Sequence, residues 1–88
     1  MMYRVNYSKE AVKTLKKMDR HMATLIYAWI EKNLEGCKNP RALGKPLTAN
    51  RSGQWRYRIG DYRLICEIID EKIVILVLSV GHRREIYD

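Results

Sequence analysis

Three arginines fall where a β-hairpin would gather them. If Gly60-Asp61 closes a two-residue turn between residues 55–59 and 62–69, Arg58 lies opposite Arg63 and period-two alternation sets Arg56 on the same side. Trp55, Tyr57, Ile59, Tyr62 and Leu64 take the other side, which is the core. Arginines facing each other across a sheet repel and give up rotamer freedom, so the arrangement points to an anion outside the folded chain. Rigid guanidinium forks match the paired oxygens of a phosphate; ordinary solvated surface charge is the plainer alternative.

A second expected turn at Asp70-Glu71 leads into an apolar strand over 73–80. That turn sets Leu78 opposite Arg63 and carries Val80 and His82 toward the same end of the arginine face. Gly81 permits a sharp exit, and the tail 81–88 then adds Arg83, His82 and Tyr87 to the patch. Such a set has the parts for RNA strand cleavage by the neighbouring 2′-hydroxyl: several cations for the crowded phosphorus transition state and a side chain to move a proton. Arginine, which holds its proton to above about pH 12, stabilises charge but is a poor proton carrier. The proton work falls to Tyr87 or His82. A tyrosine, with an ordinary value near 10, is a weak base until surrounding positive charge favours its phenolate, whereas a histidine near 6.5 needs less tuning. Lys45, Arg51 and Arg84 are further cations available to an RNA strand.

The elements that must hold these residues are legible in the rest of the chain. Tyr3, Val5 and Tyr7 alternate with Arg4 and Asn6, a short strand over 3–7 with one buried face. Ser8 offers a helix N-cap, followed by Ala11, Leu15 and Met18 at helical spacing among Lys9, Lys13, Lys16 and Lys17. Asp19 and Arg20 interrupt this pattern, and Met22, Ile26, Ile30 and Leu34 form a second stripe with Trp29 beside it, ending near Gly36. Residues 37–52 hold both prolines and keep no period, which reads as a loop. The expected fold class is α+β: an N-terminal strand, an α-helical hairpin and a three-strand C-terminal meander in a small, largely antiparallel sheet.

At 88 residues the chain has room for one core, and 1–88 reads as a single domain. Seventeen Lys and Arg against ten Asp and Glu give a net charge of +7, which favours an anionic partner. Cys37 and Cys66 form no CxxC pair and have no histidine at metal-ligand spacing, so free thiols and no metal or other cofactor are expected. The start shows no secretory h-region and the longest apolar run, 73–78, is far short of the roughly 20 residues that cross a bilayer. A cytoplasmic location without membrane contact is the expectation.

Several stretches carry a resemblance to a known family: Tyr3-Arg4-Val5 with Ser8 and the lysine-rich helix, Leu43-Gly44-Lys45-Pro46-Leu47, the run from Trp55 through Gly60-Asp61-Tyr62-Arg63-Leu64-Ile65, and Ser79-Val80-Gly81-His82-Arg83-Arg84-Glu85-Ile86-Tyr87. Together they span nearly the whole chain, which resembles the RelE family of the RelE/ParE toxin superfamily. The resemblance implies the microbial RNase-like RelE/ParE fold and a toxin that enters the ribosomal A site and cleaves mRNA by 2′-hydroxyl attack, leaving a 2′,3′-cyclic phosphate. It also implies a cognate RelB-like antitoxin and a toxin–antitoxin complex that binds operator DNA through the antitoxin. The family's two basic positions on the first meander strand match Arg56 and Arg58, its arginine after the turn matches Arg63, its tail arginine Arg83 and its catalytic tyrosine Tyr87. The best-known members carry lysines where this chain has Arg56 and Arg58, and their tails are longer between arginine and tyrosine. A ParE-like DNA gyrase inhibitor shares the fold and much of the Gly60–Leu64 segment, and a non-catalytic RNA- or protein-binding module is the third reading.

Overall fold

The computed structural model describes residues 2–47 and 53–82. Strand β1 (Arg4–Tyr7) leads into helices α1 (Lys9–Lys17) and α2 (Arg20–Asn33), followed by strands β2 (Lys45–Pro46), β3 (Gln54–Ile59), β4 (Tyr62–Ile69) and β5 (Val74–His82). The five strands form one sheet in the order β1-β5-β4-β3-β2, antiparallel throughout except for the β1–β5 pair.

Two caps explain why there are two helices rather than one. The Ser8 hydroxyl accepts from the Ala11 amide at 3.0 Å and donates to the Leu78 carbonyl at 2.7 Å, so it starts α1 and ties that end to β5. Met18 is extended, and the Asp19 carboxylate restarts the helix by accepting from the Met22 amide at 3.2 Å. Both helices bury their apolar stripe on one face of the sheet. Ala11, Leu15, Ala23, Ile26, Ile30 and Leu34 meet Tyr57, Leu64, Cys66, Ile75, Val77 and Val80 in a single core. Each large side chain buried there contributes about 1.5–3 kcal/mol. Cys66 lies within it, and burial pushes its thiol up to about 12; neither Cys66 nor the half-buried Cys37 is in a disulfide.

The β3–β4 hairpin follows the sequence. Arg58 pairs with Arg63 and Ile59 with Tyr62, Gly60 takes φ +58°, and Asp61 keeps an ordinary negative φ, as a type II′ turn requires. The expected turn at Asp70-Glu71 is corrected. A 3-10 turn over Asp70–Lys72 is followed by Ile73 in the left-handed region, φ 56° and ψ 48°, so β5 begins only at Val74. A β-bulge then adds Leu78 between Val77, opposite Cys66, and Ser79, opposite Ile65. Gly81, not Leu78, therefore faces Arg63, and Val80 turns into the core with 6% exposure.

The region expected as plain loop is also more ordered than its composition suggests. Lys45 and Pro46 pair with Arg56 and Trp55 as a short edge strand, a place where proline is tolerated because one side of the strand needs no donor. The Leu47 amide continues that edge by donating to the Gln54 carbonyl at 3.0 Å.

Candidate nucleic-acid interface

The face of the sheet turned away from the helices carries the arginines. Lys45 on β2, Arg56 and Arg58 on β3 and Arg63 on β4 share it by register, since Lys45 pairs with Arg56 and Arg58 with Arg63. Directly opposed residues bring their Cβ atoms to about 4.5–5.5 Å, so Arg58 and Arg63 project side by side. Ile65, opposite Arg56 and two residues from Arg63, lies on the same face and is only 2% exposed.

The arginines are not equally solvated. Arg58 is exposed, whereas Arg56 and Arg63 each retain only 9% of their accessible surface. Arg56 stands opposite the buried Ile65 and Arg63 two residues before it, so their stems start beside an apolar side chain, and an arginine placed this way gains packing as well as carrying charge. Holding the stems in place pre-organises the guanidinium groups, which lowers the cost of ordering them around a phosphate.

His82 stands elsewhere. It pairs with Tyr62, whose side chain belongs to the helix side, and the two rings meet edge to face at 5.5 Å and 80°. With Thr14, Lys17 and Met18 it lines a shallow hollow at the end of α1. The bulge at Leu78 and the longer β4–β5 connection change the register, which is why the expected approach of His82 and Val80 to the arginine face does not occur. Gly81 does lie on that face, beside Arg63. Arg51, Arg83, Arg84 and Tyr87 lie outside the described residues.

One positioning feature escaped the sequence reading. The 40s loop is clamped to β3 by the Tyr57 hydroxyl, which donates to the Pro40 carbonyl, and by Trp55 Nε1, which donates to the Leu43 carbonyl at 2.7 Å. Gly44, at φ +78°, lets the loop lie flat on the strand: a Cβ there would strike the Arg56 carbonyl oxygen and come within 2.7 Å of Trp55 Nε1. This contact places Lys45 beside Arg56. The signal available in advance was the glycine one residue before a basic position and two before a proline. Among the described residues no three His, Cys, Asp or Glu side chains gather as metal ligands, and no helix is long and apolar enough to cross a membrane.

Comparison with known proteins bears on this arrangement. The family model described as ParE toxin of type II toxin-antitoxin system, parDE, matches residues 5–87. The chain is 31% identical over 87 residues to Toxin RelG of Mycobacterium tuberculosis, covering 99% of this chain and 98% of that one. It is 30% identical over 90 residues to mRNA interferase toxin RelE of Escherichia coli, covering 99% and 92% of the two. Among solved structures it is similar to the toxin–antitoxin complex RelBE2 from M. tuberculosis, with a TM-score of 0.84 and 29% identity over 94% of this chain and 93% of that one.

Proposed function

Because this chain belongs to the ParE toxin family of type II toxin–antitoxin systems, within the RelE/ParE superfamily, we propose that it is a ribosome-dependent mRNA endoribonuclease that halts translation. The observation that carries this reading is the Arg58–Arg63 pair, two like charges held directly opposite each other beside Arg56 and Lys45. A phosphate bound across them offsets their repulsion, and the added charge of the transition state offsets it further.

In the proposed reaction Tyr87, as phenolate, takes the proton of the 2′-hydroxyl. The 2′-oxygen then attacks the adjacent phosphorus, the bond from phosphorus to the 5′-oxygen breaks, and that oxygen leaves with a proton supplied by solvent or a neighbouring acid. The products are a 2′,3′-cyclic phosphate and a 5′-hydroxyl. Arg63, Arg58 and Arg56 stabilise the charge on the non-bridging oxygens, and Arg83 favours the phenolate. The covalent path supports this assignment: Gly81 is the cross-strand partner of Arg63, so the segment carrying Arg83, Arg84 and Tyr87 departs from the end of β5 that borders the arginine pair. Lys45, Arg51 and Arg84 are assigned to the RNA backbone on either side. His82, turned toward Tyr62, is assigned a supporting role in holding the exit of the tail.

A RelB-like antitoxin is the proposed partner, since the similar RelBE2 structure is a toxin–antitoxin complex. Operator DNA would be reached through that antitoxin. The match to the ParE model favours a second reading, inhibition of DNA gyrase. The test is incubation of the purified protein with ribosomes programmed with a defined mRNA, followed by mapping of the ends. Cleavage in the A-site codon with cyclic-phosphate ends is expected; intact mRNA together with gyrase-dependent DNA breaks would replace the nuclease by the second reading.

A further inference from the structure

The Leu43-Gly44-Lys45 segment has so far served only to place Lys45, yet it also walls a pocket of about 270 Å³ at the edge of β3, shared with Trp29, Tyr57 and Arg58. Resting on the nuclease reading above, we propose that this pocket is a base-binding subsite, which takes one unstacked base of the single-stranded RNA flanking the scissile phosphate.

Three observations support it. First, an aromatic ring and cations converge there: the half-buried Trp29 lines the pocket, backed by the fully buried Tyr57 with ring centroids 5.8 Å apart, while Lys45 and Arg58 line it as exposed cations. An indole wall with cations beside it suits a base joined to its phosphates, and the volume is slightly below the range of pockets that take whole drug-sized ligands. Second, Leu43 is 46% exposed although its backbone is fixed, because its carbonyl accepts from Trp55 Nε1 and the neighbouring Gly44 lies against β3. A fixed apolar side chain lining a pocket offers a surface for a base to cover. Third, no described strand pairs with the backbone beside it. Gln54 turns its carbonyl to the outer edge, where Leu47 donates to it, and by alternation Arg58 faces the same way. Strand β2 stops at Lys45, opposite Arg56, so among the described residues no strand lies beside Arg58 on that edge. Its amide and carbonyl are placed to hydrogen-bond the edge of a base, a source of sequence preference that phosphate contacts lack.

The test is single-turnover cleavage of ribosome-bound mRNA in which each nucleotide flanking the cleavage site is replaced in turn by an abasic one, with the wild-type protein and with Leu43→Glu. Leu43 is surface-exposed, so the variant is expected to fold, which thermal melting checks, and Leu43→Met serves as the conservative control. One abasic position should slow the wild type by about tenfold or more, the scale of a lost stacking contact. Leu43→Glu should slow intact mRNA to a similar degree, add less than about twofold on that abasic mRNA, and be rescued by methionine. Equal losses on intact and abasic mRNA at every position, or no loss, would overturn the subsite while leaving the nuclease standing. Failure of the wild type to cleave intact mRNA would overturn the nuclease reading and the subsite with it.

Discussion

Arg58 and Arg63 were legible as a pair because Gly60 fixes the hairpin register: one glycine at φ +58° determines which residues oppose each other for the length of both strands. The burial of Arg63 was not legible, since period-two alternation assigns a face and says nothing of what covers a side chain there. Truncating Arg63 to alanine would therefore mix lost packing with lost charge. Arg63→Met separates them by keeping most of the stem. It is expected to lower single-turnover cleavage at least about tenfold, equivalent to about 1.4 kcal/mol. A normal cleavage rate at saturating ribosomes would remove Arg63 from the site. The proton assignment is tested by two variants on one mRNA, with the bound fraction measured separately. Tyr87→Phe should keep ribosome affinity and lose about 10²-fold or more in rate, while His82→Gln should lose far less, in keeping with a ring that packs on Tyr62. The reverse ranking would make His82 the base.

At the scale of elements, the helical hairpin and the β3–β4 hairpin could be read because each rests on local signals, the caps Ser8 and Asp19 and the turn at Gly60. The β4–β5 connection could not. Ile73 adopts a left-handed conformation that β-branched residues rarely take, and the bulge at Leu78 has no sequence signature of its own; its carbonyl is held by Ser8, far away in the chain. Strand β2 was hidden for a related reason, since two residues have no period to detect. Its placement depends on Gly44, and here the consequence of a single methyl group is large. Gly44→Ala introduces strain at φ +78° together with contacts to the Arg56 carbonyl and to Trp55 and Tyr57 that the strand cannot relieve without moving. A loss of about 2 kcal/mol or more is expected, a fall in Tm of roughly 8–16 °C for a domain of this size. Thermal melting of the purified variant checks it, and a Tm within 2–3 °C (about 0.5 kcal/mol) of wild type would show that the loop is not clamped as described.

The molecule as a whole is tied together at one end of the sheet by a polar contact among three distant segments. Asp70, in the β4–β5 turn, accepts from the Tyr3 hydroxyl at 2.7 Å and from both terminal nitrogens of Arg41 at 3.1 and 3.0 Å. The Arg41 hydrogen bonds, with that of Tyr3, hold the Asp70 carboxyl below its ordinary value. A carboxyl depressed on folding stabilises fully above the unfolded value of about 3.9, and that contribution is lost as pH falls through the folded value. Asp70→Asn should therefore melt below wild type by a constant margin above about pH 5, with the margin closing as the pH falls past the unfolded value of about 3.9 and through the lower folded one. A margin independent of pH would deny the carboxylate its role. The parallel β1–β5 pair has another consequence, one of timing. Strand β1 is made first, yet the strand it joins comes last, and Ser8 meets Leu78 across 70 residues. Closing a loop of that length costs about 4 kcal/mol of chain entropy before any contact rewards it. The helices emerge with Leu15, Ile26 and Ile30 bare and wait for a sheet that does not yet exist. During that wait the nascent chain is a sticky amphipathic hairpin without an arginine face, open to capture by whatever apolar surface reaches it first.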